Sequence, residues 1–275
     1  MVLTNFQREL CRLIAANRRQ SGESYVAGAV ALNELLSGRR ISRDLDLFQS
    51  HDTSRALADC WPRDRALLES SGLRVEVLRE APSFVEALVS RGASERLLVQ
   101  WVRDSSYRFL PLVEDDTFGL VLHPFDLATN KVLALVGRLE PRDWVDAIES
   151  HDRLQPMGFL MWAACGKDPG FGPASLLEEA RRRGRYSQAE LEDLAWDGPA
   201  PDARVLGARW HEILAHAERL IRGLPAAEAG QAVLTASGMP YRGDADELAA
   251  DLAAGRVLFH RGRIRGTWPS VSPAR

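Results

Sequence analysis

The stretch Tyr25–Phe48, YVAGAVALNELLSGRRISRDLDLF, carries the most information in the chain. It opens on a turn of small residues (Ala27, Gly28, Ala29) and predicts a short apolar helix over Val30–Leu36, stopped by Gly38. It ends in an alternating segment in which Asp44 and Asp46 interleave with Leu45 and Leu47. Strand side chains alternate between faces, so both carboxylates point one way and both leucines the other. Two such carboxylates can hold one or two divalent cations, because a hard ion such as magnesium takes oxygen ligands and keeps waters and substrate phosphates as the rest of its shell. Phosphate-transfer chemistry is therefore the first functional expectation. Without further motifs, the wet face of a half-buried strand is the commoner explanation of such a pair.

Upstream, Leu3, Phe6, Leu10, Leu13 and Ile14 keep helical spacing, which predicts a helix over Thr4–Arg19 with Thr4 and Gln7 forming a capping box. Downstream, a helix is expected over Thr53–Ser71, bent or broken at Pro62 and ended by Gly72. Strands are expected over Leu73–Leu78, Arg96–Val102 and Gly119–Leu122. From Asp126 the character becomes helical. Asp126 is read as an N-cap for a helix to Leu139, with Lys131, Ala134 and Arg138 on one face, an arrangement with room for an anion such as a triphosphate. A helix from Pro141 carries Asp143 and Asp146. Residues 156–173 read as a loop. Helices follow at Ala174–Arg183, Ser187–Ala195, Pro201–Arg222 and Asp244–Ala254, then a short strand at Arg256–Phe259 and a Pro/Ser end read as mobile. The expected organisation is an α/β core at 1–125, a helical domain at 126–225, and a C-terminal helix and tail at 226–275.

With 275 residues and 45% hydrophobic content the chain can bury a sizeable core. No apolar run reaches the roughly 18 to 20 residues of a membrane span, so no membrane partner is expected. Cys11, Cys60 and Cys165 are odd in number and lack a CxxC pair, which argues for a reducing, cytoplasmic compartment and against a zinc site. His211 and His216 bracket Glu212 at a spacing unlike HExxH, and His51 reads as a turn residue near the carboxylate strand. The net charge of −3 leaves nucleic-acid contacts to local patches, for which Arg181, Arg182, Arg183 and Arg185 with Tyr186, and Arg261, Arg263 and Arg265, are the candidates. Solvated helix ends are the plainer explanation of such runs.

GAVAL at Gly28–Leu32, SRDLDLF at Ser42–Phe48, DLATNKVLALVGR at Asp126–Arg138 and PRDWVDAI at Pro141–Ile148, in this order, resemble the motifs of the AbiEii/AbiGii toxin family of nucleotidyltransferases, within the DNA-polymerase-β-like superfamily. The resemblance is close over residues 25–150 and loose beyond. It implies an α+β fold, with a polymerase-β-like nucleotidyltransferase domain built on a small mixed sheet and followed by a helical domain. It implies that Gly28 and Ala29 form the phosphate-approaching turn, Ser42 binds a phosphate, Asp44 and Asp46 hold Mg2+ (two ions, with Mn2+ as a substitute), and Lys131 with Arg138 meets the triphosphate. Asp143 or Asp146 would be the acid needed for activity. The implied substrates are a nucleoside triphosphate and an acceptor hydroxyl, with RNA such as the tRNA 3′ end as acceptor and pyrophosphate released. The implied setting is a toxin paired with a separately encoded antitoxin. Two departures stand out: Ala29 replaces a Gly or Ser, and Gln100 falls where a third carboxylate is expected, with Asp104 too far along its strand to substitute. They keep open a catalytically degenerate nucleotide- or partner-binding module, and transfer to a small molecule such as an antibiotic is a further alternative.

Overall fold

Thr4 and Gln7 close the capping box their spacing predicts: Thr4 Oγ1 accepts from the Gln7 amide at 3.1 Å, and Gln7 Oε1 accepts from the Thr4 amide at 2.9 Å. In this computed structural model, which describes residues 3–22, 24–50, 56–105 and 107–269, the helix so started is α1 (Asn5–Ser21). There follow β1 (Ser24–Ala27), α2 (Gly28–Leu35), β2 (Arg40–Ile41), β3 (Asp44–Ser50), α3 (Ala56–Ser70), β4 (Arg74–Ala81), β5 (Phe84–Arg91) and β6 (Glu95–Asp104). Next come β7 (Tyr107–Arg108), β8 (Val113–Asp115), β9 (Gly119–Val121), α4 (Pro124–Arg138), α5 (Pro141–Arg153), α6 (Met157–Ala164), α7 (Pro173–Arg183) and α8 (Gln188–Glu192). The chain ends in β10 (Ala195–Trp196), α9 (Ala203–Gly223), β11 (Ala232–Thr235), α10 (Ala245–Ala253), β12 (Val257–His260) and β13 (Arg263–Ile264).

Two compact units are present, one of residues up to 105 with 112–123 and 195–197, the other of 107–111, 124–194 and 198–269. The first is built on a mixed seven-stranded sheet in the order β4-β5-β6-β3-β1-β9-β8. β3 runs antiparallel to β1 and parallel to β6, with Asp46 beside Ala27 on one side and Gln100 on the other. Leu45, Leu47, Val99 and Trp101 point to the buried face, where Trp61 of α3 packs on Trp101 at 4.5 Å between ring centres. The second unit is a helical assembly whose core includes Phe159, Trp162, Leu220, Val233, Tyr241 and Leu248. α6 and α9 touch backbone to backbone: a Cβ on Gly158 would sit 2.9 Å from the Ala217 carbonyl oxygen.

Several local expectations change. α3 continues through Pro62, because Leu57, Trp61 and Leu68 bury on both sides of it and hold the helix despite the missing N–H. The expected start of that helix at residues 53–55, and His51, lie outside the described residues, as do residues 270–275 of the tail. β5 and β11 were not expected, and residues 157–164 form α6 rather than loop. Asp126 is not an N-cap: α4 begins at Pro124, and the buried Asp126 carboxylate accepts from the amides of Phe109 (2.9 Å) and Leu110 (3.0 Å) and pairs with Lys167 at 2.8 Å. No described helix is long and apolar enough to cross a membrane.

Candidate active site

In the first unit the carboxylates take the alternation the sequence predicts. Asp44 and Asp46 are half-buried on one face of β3, and Leu45 and Leu47 are buried on the other. Ser42 Oγ donates to Asp44 Oδ1 at 2.9 Å, which ties the first carboxylate to the approach loop. β2 and that loop are themselves held at two points, where Asn33 Nδ2 of α2 donates to the Arg40 carbonyl (3.1 Å) and Gln7 Nε2 of α1 donates to the Ser42 carbonyl (2.7 Å). Neither support was identified from the sequence, since both join residues whose proximity depends on the fold.

Gly28 has φ of +72°, the left-handed region, and a Cβ built there would lie 1.9 Å from Asp46 Oδ2. Only glycine therefore allows the second carboxylate to lie against the start of α2. The helix begins at Gly28, Ala27 supplies no side-chain cap, and its first-turn amides lack intrahelical acceptors, a setting that suits phosphate oxygens. Ala29 is buried in the first turn, so its methyl faces protein rather than ligand space.

Gln100 stands beside Asp46 in the parallel register, at the position the sequence indicated, and its Nε2 donates to Glu86 Oε1 on β5 at 3.2 Å. Asp104 pairs with Ser50 and accepts from the Tyr25 hydroxyl at 2.9 Å, so it is placed away from Asp46 along the strand. Among the described residues, no group of three or more His, Cys, Asp and Glu side chains is arranged to hold a metal. A divalent ion at β3 would rest on Asp44 and Asp46 together with water or substrate oxygens.

In the second unit, Lys131, Arg138, Asp143 and Asp146 come together as one cluster on α4 and α5. Lys131 Nζ lies 2.9 Å from Asp143 Oδ1 and 3.0 Å from Asp146 Oδ2, and Arg138 donates to both Asp143 oxygens at 3.0 and 3.2 Å. Both aspartates are fully buried and Lys131 is 6% exposed, so Lys131 is held in a buried ion-pair cluster, whereas the α4 spacing alone suggests an open face with room for an anion. The Arg138 side chain, about half exposed, is the open cation of the group. Of the other basic candidates, Arg181 pairs with Glu218, Arg182 pairs with Glu178 and Glu179, and Tyr186 leans on Trp144 at 5.3 Å. The side chain of Arg183 lies outside the described set.

No family model matches the sequence, and no curated protein does. Solved structures do match. A candidate nucleotidyltransferase from Helicobacter pylori superposes with a TM-score of 0.50 at 14% identity, covering 81% of this chain and 99% of its own. The chain shares the fold of that nucleotidyltransferase structure. JHP933 from Helicobacter pylori gives a TM-score of 0.50 at 14% identity over 80% of this chain and 95% of that one. MenT4, a nucleotidyltransferase toxin from Mycobacterium tuberculosis, gives 0.49 at 14% identity over 81% and 84%. The fold expected from the sequence resemblance is thus the fold observed.

Proposed function

We propose that this protein is a metal-dependent nucleotidyltransferase, moving a nucleoside monophosphate from a nucleoside triphosphate to an acceptor hydroxyl, with RNA such as the tRNA 3′ end as acceptor and pyrophosphate as leaving group. The observation that carries the reading is the pair Asp44 and Asp46 on one half-buried strand face, against the glycine that starts α2, in a nucleotidyltransferase fold. The donors are hard oxygens, with Asp44 tied by Ser42, which fits Mg2+ or Mn2+. When bound, such an ion supplies charge neutralisation at the phosphates and a lowered pKa for the attacking hydroxyl. Ser42 keeps Asp44 oriented, Gly28 clears space for Asp46, and the α2 amides offer donors to phosphate oxygens.

Lys131 and Arg138 are the cations assigned to the triphosphate by the sequence resemblance. Lys131 already serves two carboxylates, so Arg138 is the member of that cluster with room for a phosphate oxygen. Asp143 and Asp146 act by holding Lys131. The chain does little covalent work under this reading, as is general for phosphoryl transfer, where positioning and charge dominate. The same resemblance supports a toxin of a toxin–antitoxin or abortive-infection system, with an antitoxin as partner.

The test is incubation with Mg2+, each α-labelled nucleoside triphosphate in turn, and total RNA. Label on RNA, lost in Asp44→Ala, supports the reading. A second reading, a binding module without turnover, is favoured by the neutral Gln100 beside Asp46. It predicts nucleotide binding with no label on any acceptor.

A further inference from the structure

The second unit contains a cleft of about 410 Å³ that the proposed chemistry does not use. Its walls include Tyr107, Phe171 and Arg261, and much of the remainder is glycine backbone. That volume falls within the ~300–1,000 Å³ of small-molecule and cofactor pockets. The walls are fixed by close backbone packing. A Cβ on Gly166 would lie 2.1 Å from the Gly230 carbonyl oxygen, and one on Gly262 would lie 2.6 Å from the Tyr107 ring. The ring of Tyr107 is set edge-on to Phe109 at 5.7 Å, and Phe109 is set edge-on to Phe125 at 5.4 Å, which leaves Tyr107 at the end of a packed aromatic row. Burial and the nearby Asp126 carboxylate hold the Tyr107 hydroxyl above its ordinary pKa, so the ring is neutral.

The strand that edges this cleft continues as an exposed basic strip. β13 pairs with β7, with Ile264 opposite Tyr107, and the tail is stitched to the same segment through His260 Nε2 to the Phe109 carbonyl (3.0 Å) and the Thr267 amide to the same carbonyl (3.3 Å). Arg261, Arg263 and Arg265 are all exposed, and residues 255–269 contain no Asp or Glu, in a chain of net charge −3. Trp268 follows at 78% exposure and Ile264 at 55%. Regularly spaced arginines beside the exposed Trp268 indole and the half-buried Tyr107 and Phe171 rings match what a flexible polyanion with stackable rings needs, since phosphates pair with the cations and bases stack on the rings.

We infer that the strip Arg261–Trp268 with the Tyr107–Phe171 cleft is a binding surface for single-stranded nucleic acid, the arginines taking backbone phosphates and the cleft and Trp268 taking unpaired bases. The inference rests on the proposed function only in naming RNA as the strand. Its test is run without nucleotide or metal in the Asp44→Ala background, so loss of transfer and loss of strand binding are read separately.

The measurement is fluorescence anisotropy of a labelled single-stranded oligoribonucleotide of mixed sequence against a salt series. The proteins compared are the Asp44→Ala protein, the same protein carrying Arg261→Gln, Arg263→Gln and Arg265→Gln together, and the same protein carrying Trp268→Ala. Loss of three phosphate contacts should lower the slope of log affinity against log salt by about 2, from about 0.7 per single-strand phosphate. Affinity at low salt should fall at least tenfold. Trp268→Ala should weaken binding by about fivefold or more while leaving the salt slope unchanged. Circular dichroism of each variant establishes that it remains folded. Unchanged binding in both folded variants would overturn the inference. So would equal affinity for a duplex of the same sequence, or binding of the strip to anionic phosphatidylserine vesicles with no binding to the oligonucleotide.

Discussion

Replacing Lys131 by methionine removes the charge from a cluster in which the lysine lies 2.9 Å from Asp143 and 3.0 Å from Asp146, both fully buried. Asp143 keeps Arg138, at 3.0 and 3.2 Å, whereas Asp146 loses the cation nearest to it. Breaking a buried pair by removing one partner costs ~3–5 kcal/mol, because the remaining charge stays desolvated. At about 2–4 °C per kcal/mol for a chain of this size, the melting temperature should fall by about 6–20 °C at pH 8. The loss has a pH signature. A buried carboxylate that has lost its lysine is easier to keep folded when protonated, so the deficit shrinks as the pH falls, by up to ~1.4 kcal/mol per pH unit for each proton taken up. The double variant Lys131→Met/Asp146→Asn should recover part of the stability, since it removes a buried charge that has lost its lysine. The assay is thermal and urea unfolding of the wild type and both variants from pH 5 to pH 8. A Lys131→Met protein melting within about 2 °C of the wild type at pH 8, or with a pH-independent deficit, would refute the reasoning. It would then place Lys131 with its substrate rather than with the fold.

Three further outcomes are expected. Gly28→Ala puts a methyl carbon 1.9 Å from Asp46 Oδ2 at a φ of +72°, so stability should fall by ~1–3 kcal/mol in urea unfolding and nucleotide transfer should fall at least tenfold. Asp64 accepts from Trp101 Nε1 (2.9 Å) and Asn17 Nδ2 (2.9 Å) in a buried site, so Asp64→Ala should cost ~1–3 kcal/mol in the same assay, and a cost near zero would show that these bonds do not hold α3 to the sheet. Burial pushes His151 down to about 4, while its Nδ1 accepts from the Met157 amide at 2.9 Å. Because this folded value is depressed below the unfolded value of about 6.5, the neutral ring's contribution is fully present above pH 6.5 and is lost as pH falls through 4. The contribution amounts to up to ~3 kcal/mol, and His151→Gln should flatten the stability profile across that window.

The elements read correctly from the sequence are those whose signals are local. Thr4 and Gln7 form their capping box, and Asp44 to Leu47 alternate as a half-buried strand must. α6 was invisible because all eight of its residues are buried, which leaves no polar face to set a helical period. β5, FVEALVSR, alternates in burial, but its Glu, Ala and Leu also suit a helix, and only pairing with β4 and β6 settles the choice. Asp126 satisfies the local rule for a cap, yet its partners are the amides of Phe109 and Leu110 and the ammonium of Lys167, brought close by tertiary packing. At the site, the sequence named Asp44, Asp46 and Gln100 but not Glu86, Asn33 or the bond from Gln7 to the Ser42 carbonyl, each of which depends on a contact that exists only once the sheet and its helices are assembled.

The most direct test of the central claim is a paired labelling experiment in which the same nucleoside triphosphate carries its label on the α phosphate in one reaction and on the γ phosphate in the other, with Mg2+ and RNA. The account predicts α label on the RNA, γ label in released pyrophosphate, and loss of both signals in Asp44→Asn and Asp46→Asn. Label from the γ phosphate on the acceptor, or undiminished transfer in both aspartate variants, would contradict nucleotidyl transfer at β3.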